Sequence, residues 1–405
     1  MSATPPLSLL TFTSLYPNAQ QPRHGIFIEQ RLRHLIADYP LTPRVVAPVP
    51  WFPIKGSMFG QYGIYGAVPA EETLGGVPIW HPRYAVVPKL SWHVSPWLMY
   101  RATRGLVRRL NNQQAIDVID AHFFYPDGVA AVLLGRELGV PVCITARGSD
   151  LTLMPDFVLP RRWILWAATQ ADALVTVCAA LRDRLVELGI PAGRVTVLRN
   201  GVDLERFQPA APEPVRQRLR LHGRVLLSVG NLVELKGHHL IIEALRALSD
   251  CSLMIIGAGP ERVALERLAA RLGVADRVRF LGLIAQGELR DYYAAADALV
   301  LASSREGWAN VLLEAMACGT PAVATRVWGT PEVVAAPAAG ILIDERSAHG
   351  IAAGVRRLFA ALPSRAATRA YAEGFSWADT SRGQFELFGC LRAAPRKKPN
   401  GSGGR

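Results

Sequence analysis

Short apolar runs of strand type alternate with segments of helical period along this 405-residue chain, and the alternation occurs in two successive sets. The pattern predicts strands at 7–14, 44–49, 117–123, 141–146, 173–177 and 195–199 in the first half. In the second half it predicts them at 225–229, 252–257, 278–281, 298–302, 321–325 and 340–343. These runs are apolar at successive positions, so both faces must be covered, as in parallel strands between layers of helices. Helices are expected between them at 27–37, 128–138, 240–248, 261–272 and 288–296. Two such sets predict two doubly wound α/β domains, which suits a length beyond the roughly 250–300 residues at which single cores stop growing. The joint is expected at 204–215, where Pro209, Pro212 and Pro214 interrupt every period. The expected divisions are therefore 1–205, 206–375, a closing helix at 376–392 that packs back toward the first domain, and a disordered basic tail at 393–405.

One segment fits neither pattern. Residues 48–96 are rich in Pro, Gly and aromatics, including Trp51, Phe59, Tyr62, Tyr65, Trp80, Tyr84 and Trp92. A long loop of functional or mobile character is expected there.

Half of the residues are apolar and 19% are charged, which excludes global disorder. No apolar run of about 18 residues is uninterrupted, so no transmembrane helix is expected. The nearest candidate, 163–181, contains Gln170 and Asp172. Met1 to Ser8 lacks the basic and apolar regions of a signal peptide. Cys143, Cys178, Cys251, Cys318 and Cys390 are far apart and form no Cys-x-x-Cys pair. They read as buried apolar fillers in a reducing cytoplasm. The net charge of +12 attracts phosphorylated metabolites or anionic lipid. Nucleic acid is not expected as a partner, since neither a basic-aromatic run nor a DNA-binding helix motif occurs.

Three loops that follow predicted strands carry chemistry. The stretch Ser303 to Gly319 turns through a Gly-containing loop into a helix that Asn310 is expected to cap. Such a helix N-terminus suits a phosphate, and Glu306 and Glu314 bracket the turn with carboxylates suited to sugar and ribose hydroxyls. Gly230 to Gly237 brings a glycine and Lys236, a cation suited to a diphosphate, to the end of another strand. Gly257-Ala258-Gly259-Pro260 follows the next strand and is equally an ordinary strand-to-helix turn. No Asp-x-Asp, His cluster or Cys pair stands at ligand spacing, so no metal is expected.

In this order, Tyr16-Pro17 with Gly25-Ile26-Phe27, Asp120-Ala121-His122, Arg199-Asn200-Gly201-Val202-Asp203, Gly230 to Gly237, Phe280-Leu281-Gly282, Glu306 to Gly319 and Phe375-Ser376-Trp377 resemble the family 4 glycosyltransferases. The resemblance implies the GT-B architecture, two facing Rossmann-like doubly wound domains with a deep interdomain cleft. It also implies retaining transfer of a hexose-type sugar from a UDP- or GDP-sugar, without a cofactor. In such enzymes Glu306 matches the acid on the donor sugar hydroxyls, and Glu314 the one on the ribose. Lys236 matches the cation on the diphosphate, with amides near Asn310 and Val311 assisting. Leu281 to Ile284 match the strand end that grips the base through backbone atoms. His122 matches a histidine near the reacting centre, and Gly25 a glycine loop facing the phosphates; a satisfied strand-end histidine is the alternative reading of His122.

The chain also departs from the family pattern. Asn231 stands where an arginine is usual beside Gly230, so Arg199 or Arg326 is expected to supply a second cation. Arg147, with Asp150 nearby, replaces a usual histidine and suits either a phosphate of donor or acceptor or a salt bridge to Asp150. Trp328 replaces a small residue before Gly329. Within 97–112, Arg101, Arg104 and Arg108 share one helical face, which is either solvated or a docking face for an anionic membrane. The acceptor expected on this reading is a glycan or a polyprenyl-diphosphate-linked glycan of bacterial surface-polysaccharide or exopolysaccharide assembly. The protein is then cytoplasmic, with peripheral attachment to the inner face of the plasma membrane as an option. A sugar-nucleotide epimerase of the same fold and a non-catalytic sugar-nucleotide-binding subunit remain alternatives.

Overall fold

The computed structural model describes residues 5–51, 60–86 and 91–395. Phe59 and the tail from Arg396 onward lie outside these. The chain forms two compact units, one made of residues 1–199 with 378–405, the other of residues 200–377.

In the first unit the strands are β1 (Leu7–Phe12), β2 (Leu41–Val46), β3 (Val49–Trp51), β4 (Glu71–Leu74), β5 (Val77–Trp80), β6 (Arg83–Ala85), β7 (Val118–His122), β8 (Val142–Ala146), β9 (Ala173–Thr176) and β10 (Val195–Val197). Eight of them form one sheet in the order β10-β9-β8-β7-β1-β2-β5-β4, and β3 pairs with β6 separately. All ladders of the sheet are parallel except β4 with β5. Every residue of β1, β7, β8 and β9 is buried, as continuous apolar runs require. The helix Trp377–Ala393 closes this unit: Phe388 is fully buried in its core and Phe385 stacks on Tyr39 at 4.4 Å.

The 48–96 segment is not the structureless loop expected. It carries β3 to β6 and the helix Gly60–Ala67, and β5 extends the main sheet beside β2. Gly75 and Gly76, both at positive φ (57° and 81°), make the two-residue turn of the β4–β5 hairpin.

The second unit has β11 (Arg224–Val229), β12 (Cys251–Ile256), β13 (Val278–Gly282), β14 (Ala298–Leu301), β15 (Ala322–Thr325) and β16 (Gly340–Ile343). Their order β13-β12-β11-β14-β15-β16, all parallel, is that of a Rossmann fold. The order reverses between β11 and β14 here, and between β1 and β7 in the first unit. Ligands of open α/β sheets bind outside the carboxyl ends of strands at such switch points. The cysteines are all free; four are buried, but Cys390 is exposed, because its face of the closing helix is turned to solvent.

Candidate functional site

In the second unit, β11 and β14 deliver the expected residues to the switch point. Lys236 lies in the short turn Glu234–Lys236 after β11, and Glu306 in the loop after β14. Lys236 Nζ is 2.5 Å from Glu306 Oε1, and Ser303 Oγ donates to the same oxygen at 2.6 Å. Among the described residues nothing donates to Oε2, so Glu306 keeps an acceptor for a ligand hydroxyl. Two braces hold the loops that carry the pair. Thr325 Oγ1 donates to Ser303 O at 2.6 Å, and Arg346 donates to Ala302 O at 2.9 Å and to Glu234 O at 3.1 Å. The bonds made by Ser303, Thr325 and Arg346 are absent from the sequence expectation, because no local pattern marks a brace between loops.

The helix Asn310–Ala317 starts one residue earlier than expected. Asn310 is its first helical residue rather than its cap, and no side-chain oxygen caps the helix. The physical reason is competition: Asn310 Oδ1 accepts from Asn200 Nδ2 at 3.2 Å. Val311 follows in the first turn, where the helix dipole favours an anion. Glu314 is buried and accepts from the Tyr293 hydroxyl at 2.7 Å; burial pushes its carboxyl above the ordinary range. It is therefore packed behind the turn rather than exposed opposite Glu306. Trp308, in the loop before the helix, buries its indole Nε1 with no partner among the described residues.

The glycine loops serve the scaffold as well as the site. A Cβ on Gly257 would lie 1.8 Å from Gly230 O, so the loops after β11 and β12 touch backbone to backbone. Gly257 N–H also donates to Gly282 O at 2.8 Å, which occupies that carbonyl at the end of β13 beside Leu281. Leu283 is exposed there, with Ile284 following. Asn231 is exposed, and its carbonyl accepts from His238 Nε2 at 3.2 Å. Arg326 pairs with Asp344 on the surface, so it is not aimed at Lys236 as a second cation. Arg199 belongs to the first unit. Trp328 holds a left-handed φ of 45°, a costly conformation for a bulky residue, in the loop after β15.

In the first unit, Gly25 (φ 66°) precedes the helix Ile26–Asp38, while His122 and Arg147 emerge at the ends of β7 and β8. Arg147 Nη2 lies 2.8 Å from His122 Nδ1, and His122 Nε2 lies 3.2 Å from Asp120 Oδ2. A guanidinium can only donate, so Nδ1 accepts and the proton sits on Nε2, facing Asp120. Burial is the main force that lowers the His122 pKa to about 4, so the ring is neutral near pH 7. Both ring nitrogens are engaged within the unit, Nδ1 by Arg147 and Nε2 by Asp120. Gln384 of the closing helix adds to this network: its Nε2 donates to Asp120 Oδ2 at 3.0 Å, and its Oε1 accepts from Arg31 Nε at 2.8 Å.

The Asp150 carboxylate accepts backbone N–H groups from Phe124 (2.9 Å), Arg147 (3.1 Å) and Gly148 (2.8 Å), so it shapes the loop that presents Arg147. Asp127, after β7, binds the N–H and hydroxyl of Ser14 after β1 and thereby ties the two switch-point loops together. Burial raises its carboxyl to about 7. Arg104 and Arg108 of the helix Ser91–Gln113 both pair with Glu137, which leaves Arg101 as the one member of the expected membrane face stacked on Trp97 instead. Among the described residues no group of three or more His, Cys, Asp or Glu side chains gathers to hold a metal ion, and no helix is long and apolar enough to cross a membrane.

Two doubly wound units, each opening at its switch point, define the GT-B fold of glycosyltransferases. The structure of HepE from Anabaena in complex with UDP-glucose shares it, with a TM-score of 0.72 over 95% of this chain and 99% of that one at 19% identity. The model described as glycosyl transferases group 1 matches residues 213–375, and that of glycosyltransferase family 4 matches residues 66–206. The D-inositol 3-phosphate glycosyltransferase of Geodermatophilus obscurus is 36% identical over 341 residues, covering 77% of this chain and 75% of that protein. A Bacillus subtilis protein named for teichuronic acid biosynthesis, the glycosyltransferase TuaC, is 29% identical over 362 residues, 87% of this chain and 89% of its own. The chain belongs to glycosyltransferase family 4.

Proposed function

We propose that this glycosyltransferase moves a hexose-type sugar, with retention of configuration and without a metal ion, from a UDP- or GDP-sugar to a glycan or polyprenyl-diphosphate-linked acceptor in bacterial polysaccharide assembly. The observation that carries the reading is the Lys236–Glu306–Ser303 cluster at the β11/β14 switch point. A cation and a carboxylate held 2.5 Å apart present adjacent surfaces to the two halves of a sugar diphosphate. Lys236 and the first-turn amides of Asn310 and Val311 stabilise charge that develops on the departing diphosphate. Glu306 Oε2 accepts from the sugar hydroxyls and holds the anomeric carbon beside that charge. HepE, which shares the fold, was solved with UDP-glucose, which supports a nucleotide-sugar donor, and TuaC is named for teichuronic acid biosynthesis, which supports a role in glycan assembly.

Arg147 favours a second reading of the acceptor. Its guanidinium, oriented by His122, suits the phosphate of a small polyol, and the relative from Geodermatophilus is named for such an acceptor. A thermal-shift panel of UDP- and GDP-hexoses identifies the donor, since a ligand that binds only the folded state raises Tm. Transfer is then assayed with inositol phosphate and with a polyprenyl-diphosphate sugar, and the anomeric configuration of the product is read by NMR. An inverted product refutes retention. Conversion of the donor in the absence of any acceptor supports the epimerase reading instead.

A further inference from the structure

Gln384, on the closing helix, is 3% exposed. A buried amide is costly unless both of its ends are bonded, and here both are. Its Oε1 accepts from Arg31 Nε and its Nε2 donates to Asp120 Oδ2. That orientation is forced, because a guanidinium only donates and a carboxylate only accepts. His122 Nε2 lies 3.2 Å from the same Asp120 oxygen, so the amide and the imidazole share one acceptor, and His122 Nδ1 in turn accepts from Arg147.

Arg147 is held from a second direction as well. Its guanidinium stands 5.6 Å from the centre of the Phe27 ring. Phe27 precedes Arg31 by four residues on the helix Ile26–Asp38, so the two share a face one turn apart. Arg31 is 1% exposed and is anchored again by Nη1 to Leu198 O at 3.1 Å. Two routes therefore lead from Gln384 to Arg147, one through Asp120 and His122, the other through Arg31 and its helix to Phe27. Burial first, and then the Arg31 charge, oppose the positive charge of Arg147, while Asp120 and Asp150 favour it. An incoming anion relieves both opposing effects, and a phosphate fits the planar fork.

We propose that Gln384 is a positioning residue that fixes Arg147, through both routes, for a phosphate group of the substrate. This placement rests on the reading of Arg147 as a phosphate ligand. Held in advance, the fork meets the phosphate without reorganising. Fastening the closing helix does not require this amide: Phe388 is fully buried in the core and Phe385 stacks on Tyr39. An apolar residue in its place would serve that purpose at least as well.

R147A and Q384M are compared singly and together in the full-length protein. Dissociation constants of UDP and GDP report a contact with the donor diphosphate. The KM of inositol phosphate or of a polyprenyl-diphosphate sugar reports a contact with an acceptor phosphate. R147A should weaken one of the two by about 10-fold or more, as for loss of charge-assisted hydrogen bonds. Q384M should weaken the same one by about 3- to 10-fold, and by less than about 1.5-fold once Arg147 is gone. Its kcat should change by less than about twofold, since positioning for binding acts on KM. In ¹⁵N-histidine-labelled protein at pH 7, the His122 Nδ1 resonance, assigned with H122Q, should move in Q384M toward that of an unbonded acceptor. Tm reports folding, and if Q384M is unfolded, R31M/Q384M takes its place, because it removes the buried guanidinium together with the amide. An R147A protein that matches wild type removes the phosphate reading of Arg147 and the proposal with it. An R147A defect with Q384M equal to wild type, or with the two defects multiplying in the double variant, overturns the proposal alone. An unmoved His122 resonance in folded Q384M overturns it too, and each of these results leaves the transfer reading untouched.

Discussion

Replacing Glu306 with glutamine separates the two tasks of the Lys236–Glu306 pair. Nζ and Oε1 are 2.5 Å apart, so a diphosphate oxygen on the opposite side of Nζ lies roughly 5 Å from the carboxylate when that contact has ordinary length. At an effective dielectric constant of about 20, each unit of charge at that distance costs roughly 3 kcal/mol. The two side chains keep 23% and 10% of their surface exposed. Solvent and salt then reduce the repulsion to about 1–2 kcal/mol, or about 5- to 30-fold in affinity. E306Q should therefore bind free nucleoside diphosphate about 5- to 30-fold more tightly. Transfer from the sugar nucleotide should fall by about 100-fold or more, because the sugar loses its charged acceptor. The glutamine oxygen still accepts from Ser303, so the loop keeps its shape. Titration calorimetry with UDP and GDP measures the first effect, and single-turnover quench experiments measure the second. Opposite signs are the test, since a collapsed site would weaken both. Unchanged diphosphate affinity with full transfer refutes the assignment.

Lys236→Ala should weaken nucleoside-diphosphate binding by roughly 10- to 100-fold, as for loss of a charge-assisted hydrogen bond, and added Mg²⁺ should not rescue it; unchanged affinity by calorimetry contradicts the role. Trp308→Phe keeps the packing against Phe375 but removes an indole N–H that is buried without a partner. It should raise stability in the absence of ligand by about 1 kcal/mol, read from urea melts, and a large loss of stability would show that the N–H is satisfied. Asp127 is raised from 3.8 to about 7, so its contribution to stability is complete below the lower value and is lost as pH rises through the higher one. Asp127→Asn has no proton to lose, so its stability relative to wild type should grow between about pH 4 and about pH 8; a difference independent of pH rejects the assignment. His122 and His238, both lowered to about 4 from 6.5, act oppositely and destabilise both proteins alike as pH falls through that interval.

The parallel core strands were legible because residues apolar on both faces have few places to go, and β1, β7, β8, β9 and β11 lie where their apolar runs stand. The β4–β5 hairpin carried a signal as well, Gly75-Gly76 before the apolar run Val77–Trp80, but the polar strand Glu71–Leu74 on its other side hid it. Side-chain partners are another matter. The positions of Lys236 and Glu306 could be read from their loops, yet their contact spans 70 residues and depends on β11 and β14 being neighbours. Helical spacing shows that Arg104 and Arg108 share a face but not that Glu137 of a different helix neutralises both. Gln384 bonds Asp120 across 264 residues, and no periodic pattern announces such a pair.

The first unit is interrupted in the chain: residues 200–377 leave it after Arg199 and return at Ala378. On the ribosome this makes the second unit, whose segment is continuous, the earlier of the two to be complete. The nascent first unit lacks Phe388, a fully buried member of its core, until roughly 190 further residues have been added, about 10–40 s at ordinary elongation rates. Burial of such a ring is worth about 3–5 kcal/mol, a large part of a domain's net stability. Chains arrested before the closing helix should therefore carry a finished second unit behind a first unit that is still open to proteases.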